Sequence, residues 1–342
     1  MKTGRIAAQR GAALLVALLT VTLVATFATA ALWRQWRAVE VEAAERARLQ
    51  SAWVLVGALD WSRLILAEDG RGNVDHLAEP WAVPLEEARL SSFLAADKNI
   101  ASDALEGLPD ALLSGSIQDA QSKLNVRDLV ASGAPVQEAV AAFRKLFDLL
   151  GLPGQEVAVL AANLQRAMAA AAPAAPAGAE AGAGAAPEAD RDGPLLPQHV
   201  SQLVWLGLSS STAAALEPYV TVLPAATKLN INTASAEALA ASVPDLDLAS
   251  ARRLVAQRAT RHFATLEDAN AQIAQSTGKF NNARHGVSTT FFEVHGRLRL
   301  DKLWVEEHSL LARDGLKVQT VWRERGAGTT ATPNRPDTLS NR

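Results

Sequence analysis

The chain has 342 residues, 49% of them hydrophobic, with 33 basic and 36 acidic residues for a formal net charge of −3. So even a balance gives no electrostatic reason for a polyanionic partner, and no nucleic acid is expected. The chain has no cysteine, which excludes disulfides, thiolate metal sites and cysteine nucleophiles.

Residues 1–11, MKTGRIAAQRG, carry Lys2, Arg5 and Arg10 and no acid, and residues 12–32 contain no charge, Pro or Gly. As a helix rising ~1.5 Å per residue, the apolar run spans a bilayer core of ~30 Å. Three readings compete. A cleaved signal peptide would use Ala28-Thr29-Ala30, although its apolar core is usually only ~7–15 residues. An unprocessed anchor needs no cleavage. The third reading rests on the abrupt step from a charged segment ending in Gly11 to an apolar run starting at Ala12, which resembles the leader of type IV prepilins. That resemblance implies cutting by prepilin peptidase between Gly11 and Ala12 on the cytoplasmic side. It also implies N-methylation of Ala12 and retention of residues 12–33 as a transmembrane helix. Arg34, Arg37, Arg46 and Arg48 follow the span, so basic flanks alone do not orient it.

One helix is expected from Ala12 to Ala67, with Leu49, Ala52, Trp53 and Val56 as its buried stripe. The alternative is two helices broken near Trp33–Arg37. Glu68, Asp69, Gly70, Gly72 and Asn73 should end it. Glu79-Pro80-Trp81-Ala82 comes next, and further on Ile117, Asp119, Asn125 and Leu129 stand in the order I-x-D-x-x-x-x-x-N-x-x-x-L.

An EPWA stretch behind a long N-terminal helix, followed by that second pattern, is similar to the minor pseudopilin K family of type II secretion systems. Val16, the fifth residue after Gly11, agrees. Most pilins carry Glu there, K pseudopilins do not, and an unpaired carboxylate in hydrocarbon is costly. Val16 is equally what a plain lipid-facing position carries. The resemblance implies an α+β class: a pilin-like fold with a long N-terminal helix, an antiparallel sheet and a large inserted α-helical domain. It implies a non-enzymatic subunit in the bacterial inner membrane, with its bulk in the periplasm, at the tip of a pseudopilus that it initiates or caps. The implied partners are minor pseudopilins I and J (and H), prepilin peptidase and secreted substrate proteins. Ala25, Ala28, Ala30 and Ala31 would let helices approach closely in the bilayer. Calcium is implied as well, with no residues assigned. It wants ~6–8 oxygen ligands, and Asp69, Asn73, Asp75 and Asp128 are scattered.

Val140, Phe143, Phe147 and Leu150 predict a helix over 136–150, and a second is expected over 155–168. Residues 169–194 offer almost no large apolar side chain, and a disordered loop is expected there. Residues 229–261 resemble a helix-hairpin-helix unit, with Thr233 as a cap and Leu248, Ala251, Leu254 and Val255 buried. This supports a rival reading, a membrane-anchored nucleic-acid-binding protein. However, the hairpin Pro244-Asp245-Leu246-Asp247 has no Gly and puts two carboxylates where phosphates would sit. Arg252, Arg253, Arg258, Arg261 and His262 are expected as a solvated face. Strands are expected over 291–300, 304–311 and 316–322. In them Phe292, Val294, Leu298 and Leu300 share one face, Leu316, Val318 and Trp322 share another, and Asp314-Gly315 turns. Glu306-Glu307-His308 is expected at an exposed edge. No catalytic set stands out, and the six His show no ligand spacing. The expected division is 1–11 leader, 12–33 membrane helix, 34–130 and 289–325 pilin-like core, 131–288 inserted helical domain, and 326–342 disordered tail.

Overall fold

The structure, a computed structural model, describes residues 7–91, 111–171, 193–274, 278–300 and 303–327, with side chains from residue 12 onward. Residues 1–6 of the expected leader, 172–192 of the expected loop and 328–342 of the expected tail lie outside the described residues.

Helix α1 runs unbroken over Ala7–Asp69, with no interruption at Trp33–Arg37. Strands β1 (Leu85–Arg89) and β2 (Ala111–Asp119) follow, then short strands β3 (Leu124–Asn125), β4 (Val130–Ala131) and β5 (Ala134–Pro135). Helices α2 (Gln137–Leu150), α3 (Gln155–Ala171) and α4 (Ser210–Leu216) come next, with β6 (Val220–Thr221) and β7 (Leu229–Asn230). Then come α5 (Ala236–Ser242), α6 (Leu248–Thr260), α7 (Leu266–Asn270) and β8 (His285–Gly286). The chain closes with three long strands, β9 (Phe291–Leu300), β10 (Leu303–Asp314) and β11 (Lys317–Ala327). The five strands β1-β2-β9-β10-β11 form one sheet in that order, every pair antiparallel.

The lower half of α1 packs on one face of this sheet. The buried stripe is Ser51, Leu55, Leu59, Ser62 and Leu66, not the expected one: Leu49 is 61% and Trp53 73% exposed. Both stripes have helical spacing. The true one was masked by two serines, whose hydroxyls donate back to Ala47 O and Ala58 O and so enter the core already satisfied. Leu59 and Leu66 meet Trp81, Ile117, Phe292, Val294, Leu311 and Val318, while Leu55 meets Leu113, Leu298 and Leu300.

On the sheet's other face lie Phe291, Leu310, Ala312 and Trp322, packed with Ala120 and Leu223 of the segment between β2 and β9. Trp322 does not share a face with Val318. The β10–β11 register slips between Leu310 and Leu311, so Trp322 pairs Leu310 while Thr320 pairs Leu311. The extra residue, Val321, is a bulge that reverses the parity beyond it. Asp314 pairs Lys317 around the Gly315-Leu316 turn, where Gly315 takes φ 56°.

The described residues between β2 and β9 form helices, short strands and loops, and most of their buried apolar side chains build a second core. Phe143, Leu146, Phe147, Val157, Leu160, Leu164, Leu203, Leu216, Leu239 and Leu254 belong to it. Leu124, Val126, Leu129 and Val130 pack there too, although residues up to 130 were expected with the sheet. Helix α2 ends at Gly151, which takes φ 67° and sends its N–H back to Phe147 O and Asp148 O, the left-handed cap that glycine allows. Helix α3 continues to Ala171, three residues into the expected loop.

Gly115 and Gly296 face each other across β2 and β9. A Cβ at Gly115 would come 2.8 Å from His295 O, a backbone atom, whereas one at Gly296 would meet only the tip of Leu55 at 3.2 Å. Gly115→Ala should therefore cost ~1–3 kcal/mol of overpacking strain, and Gly296→Ala clearly less. Urea midpoints of the two variants check the order.

Candidate functional site: a buried polar joint and an exposed anchor

The second sequence pattern lies where the chain leaves the sheet. Asp119 ends β2 and is 3% exposed. Its Oδ1 accepts from Gln121 N at 2.7 Å. Its Oδ2 accepts from Asn230 Nδ2 at 2.9 Å, Thr233 Oγ1 at 2.5 Å and Thr289 Oγ1 at 2.7 Å. Thr289 is where the chain returns to the sheet, so one carboxylate ties exit, return and the middle of the insertion. Gln121 adds a second tie: its Oε1 accepts from Thr290 N at 2.7 Å and its Nε2 donates to Lys228 O at 2.8 Å. Burial pushes the Asp119 carboxyl up to about 6, against the four donors that lower it.

The joint continues to the end of α1. Arg313, on β10, is 8% exposed and donates to Asp69 Oδ2 at 2.7 Å, Asp75 Oδ1 at 2.5 Å and Thr289 O at 3.0 Å. Asp75 Oδ2 accepts from Thr289 N at 2.6 Å, and Asp75 O accepts from Asn230 Nδ2 at 3.1 Å. Burial, and then Glu79, push the Asp69 carboxyl up to about 6, with Arg313 opposing.

The EPWA stretch forms a short 3-10 turn over Pro80–Ala82. Glu79 Oε2 accepts from His76 N at 2.9 Å and Trp81 Nε1 at 2.8 Å. Trp81 is 1% exposed and sits edge-on to Phe292 with ring centroids 5.3 Å apart. Ile117 lies under α1. Asn125 Nδ2 donates to Ala225 O at 2.8 Å and Thr227 Oγ1 at 3.1 Å, and its Oδ1 accepts from Arg127 N and Leu223 N. Leu129 is fully buried in the helical core. The pattern residues thus split into apolar plugs (Trp81, Ile117, Leu129) and polar ties (half-buried Glu79, buried Asp119 and Asn125).

At the other end of the molecule, residues 12–46 of α1 are exposed on every side, Val16 included, and the helix is long and apolar enough to cross a membrane. Gly11 and Ala12 lie within its first turns.

Models of the family described as type II secretion system (T2SS), protein K, match residues 122–225 and 229–289. Two relatives, both named type II secretion system protein K, are 29% identical. The one from Pseudomonas aeruginosa aligns over 95% of this chain and 96% of its own length, and the one from Pectobacterium carotovorum subsp. carotovorum over 95% and 99%. The chain is similar to type II secretion system protein K along nearly its whole length. A chain in the crystal structure of the GspK-GspI-GspJ complex from the enterotoxigenic Escherichia coli type 2 secretion system shares the fold. Its TM-score is 0.60 at 18% identity, covering 83% of this chain and 99% of that one.

Several residues stand elsewhere than the sequence suggested. Thr233 does not cap a helix. Ser235 caps α5 by accepting from Ala238 N at 3.1 Å, which frees the Thr233 hydroxyl for Asp119. Arg258 is not on a solvated face but 8% exposed, donating to Ile231 O and Ala234 O, both at 2.5 Å. At the hairpin Pro244–Asp247, Lys145 Nζ donates to Leu246 O and to Val243 O just before it, at 2.8 Å each. Glu307 is no edge residue: β10 is flanked by β9 and β11, and Glu307 is 4% exposed with Arg325 on it at 2.5 Å. Asp69 and Asp75 come together with Glu79, oxygen atoms within 4.8 Å of one another. The cluster does not fit calcium, because Arg313 already fills it with positive charge, Glu79 is spent on two donors, and three carboxylates fall short of ~6–8 oxygens. Asp128 is remote, accepting from Thr227 N at 2.9 Å.

Two tests follow from the joint. Arg313→Met leaves Asp69 and Asp75 buried without their cation and should cost ~3–5 kcal/mol, read as a lower urea midpoint. Asp119 holds its proton more tightly folded than unfolded, so that contribution is present below about pH 4 and lost as the pH rises through about 6. The stability advantage of the natural chain over Asp119→Asn should therefore shrink between about pH 4 and pH 7. An equal advantage at both ends would contradict the buried, proton-holding carboxyl.

Proposed function

We propose that this protein is a minor pseudopilin of a type II secretion system, held in the inner membrane by α1 with its sheet and helical insertion in the periplasm. In this reading prepilin peptidase cuts between Gly11 and Ala12, Ala12 is N-methylated, and the mature helix joins the helices of minor pseudopilins I and J. The insertion then caps or initiates the short filament. The division into leader, membrane helix, pilin-like core and inserted domain belongs to the same proposal.

The observation that carries it is the two-part character of α1. Residues 12–46 have no cover in the monomer, whereas Leu55, Leu59 and Leu66 lie flat on the sheet. Burying an apolar surface of that length takes a bilayer or other helices. Similarity to type II secretion system protein K over nearly the whole chain, and the fold shared with a chain of the GspK-GspI-GspJ complex, support the partner class. Val16 suits the position of a subunit with no neighbour above it, since a lone carboxylate there would have nothing to neutralise it.

The intact mass after coexpression with a prepilin peptidase tests this, beside a Gly11→Ala control. Loss of residues 1–11, blocked in the control, is expected. A full-length chain despite active peptidase, or a cut after Ala30, would overturn it.

A further inference from the structure

We propose that Glu293, His295 and His308 form a binding site for a divalent transition-metal ion of the zinc type, on the sheet face opposite α1. Sequence spacing hides the site because it is built across strands. His295 and His308 are direct partners in the β9–β10 ladder, and Glu293 stands two residues before His295, on the same face.

One ligand atom from each of the three lies within 4.8 Å of the others. Glu293 Oε2 is 4.0 Å from His295 Nε2 and 4.0 Å from His308 Nε2. The two rings stack with centroids 4.0 Å apart and 20° between planes, so their in-plane lone pairs run side by side, and at least one ring turns out of the stack when both hold one ion. The centre of such a triangle lies about 2.2–2.5 Å from each atom, just outside the ~2.0–2.2 Å of zinc bonds to His and carboxylate, so ligation takes a slight contraction together with the rotation of an imidazole toward the ion.

A second observation is independent of spacing. His308 Nε2 is buried and has no hydrogen-bond partner. An unpartnered buried nitrogen is costly, and a metal ion would satisfy it. Trp322 walls that side, edge-on to His308 at 4.8 Å and to His199 at 4.7 Å, with His199 Nε2 2.8 Å from Glu324 Oε1 beyond. Lys123 Nζ stands 3.8 Å from Glu293 Oε2 and would give way as counter-charge to the ion. Burial lowers both imidazoles, His308 to about 4, which keeps them neutral, as a metal ligand must be. Two imidazoles and one carboxylate suit zinc, nickel or copper rather than calcium, which takes oxygen ligands. This is the side on which the insertion lies, since Lys123 and His199 both belong to it, so a bound ion would brace the seam.

The test uses the full chain, without a polyhistidine tag, purified in detergent and stripped with a chelator. Cobalt(II) is titrated as the spectroscopic probe and zinc as the competitor. One equivalent should bind with the visible absorption of a four-coordinate site, and zinc should displace it and raise the melting temperature. His308→Gln and Glu293→Gln should each weaken binding more than ~10-fold, while His262→Gln should leave it unchanged. Absence of saturable binding to the natural chain, or undiminished binding in His308→Gln, would overturn the assignment. Because the natural chain is itself measured, a variant that fails to fold does not shelter the proposal.

Discussion

One buried carboxylate holds this molecule in its shape. Asp119 is the last residue of β2, and its oxygens receive Gln121, Asn230, Thr233 and Thr289. A pilin-like sheet interrupted for some 170 residues between adjacent strands faces a real cost in loop closure, and its two necks must be brought together and kept there. Asp119 and Gln121 do this with hydrogen bonds made where water is excluded, and such bonds gain strength from the low local dielectric. The same surroundings raise the penalty for leaving any member unpaired, so the joint is satisfied as a whole or fails as a whole.

Arg313 extends the constraint to the C-terminal end of α1. It joins the end of α1, through Asp69, to the start of the following segment, through Asp75, and to the return neck, through Thr289 O. Helix α1, the sheet and the insertion therefore share one polar centre. The contact between α1 and the insertion runs through buried, hydrogen-bonded polar groups.

Much of this was legible in the residues, and the failures share one physical origin. The membrane run, the α2 stripe and the β9 alternation were plain because apolar periodicity reports burial directly. Leu55 and Leu66 were hidden because serines that bond to their own helix can occupy a buried stripe without cost, leaving Leu49 and Trp53 as the more conspicuous face. Trp322 was misplaced by a single bulge residue, which no periodic template contains. Asp119 was marked by family pattern but its partners were not. Thr233 read as a helix cap and Arg258 as part of a solvated face, since polar residues are mostly exposed, and nothing in the sequence singled out Asn230 or Thr289. The one available signal was in Leu229–Thr233, where small polar residues alternate with the buried Leu229 and Ile231, a pattern that places amides inside. The His295–His308 pair could not be found by spacing at all, because a ladder partner across a strand pair lies at no fixed distance along the chain.

The central claim is that sheet and insertion form one cooperative unit through the Asp119–Arg313 joint. Hydrogen exchange of the full chain in detergent, followed over increasing denaturant, tests it most directly. The account predicts that the slowest amides of β9 and β10 and those of α2 and α6 converge on a single opening free energy. Exchange of the helical insertion through its own opening event at low denaturant, with the sheet still protected, would contradict it.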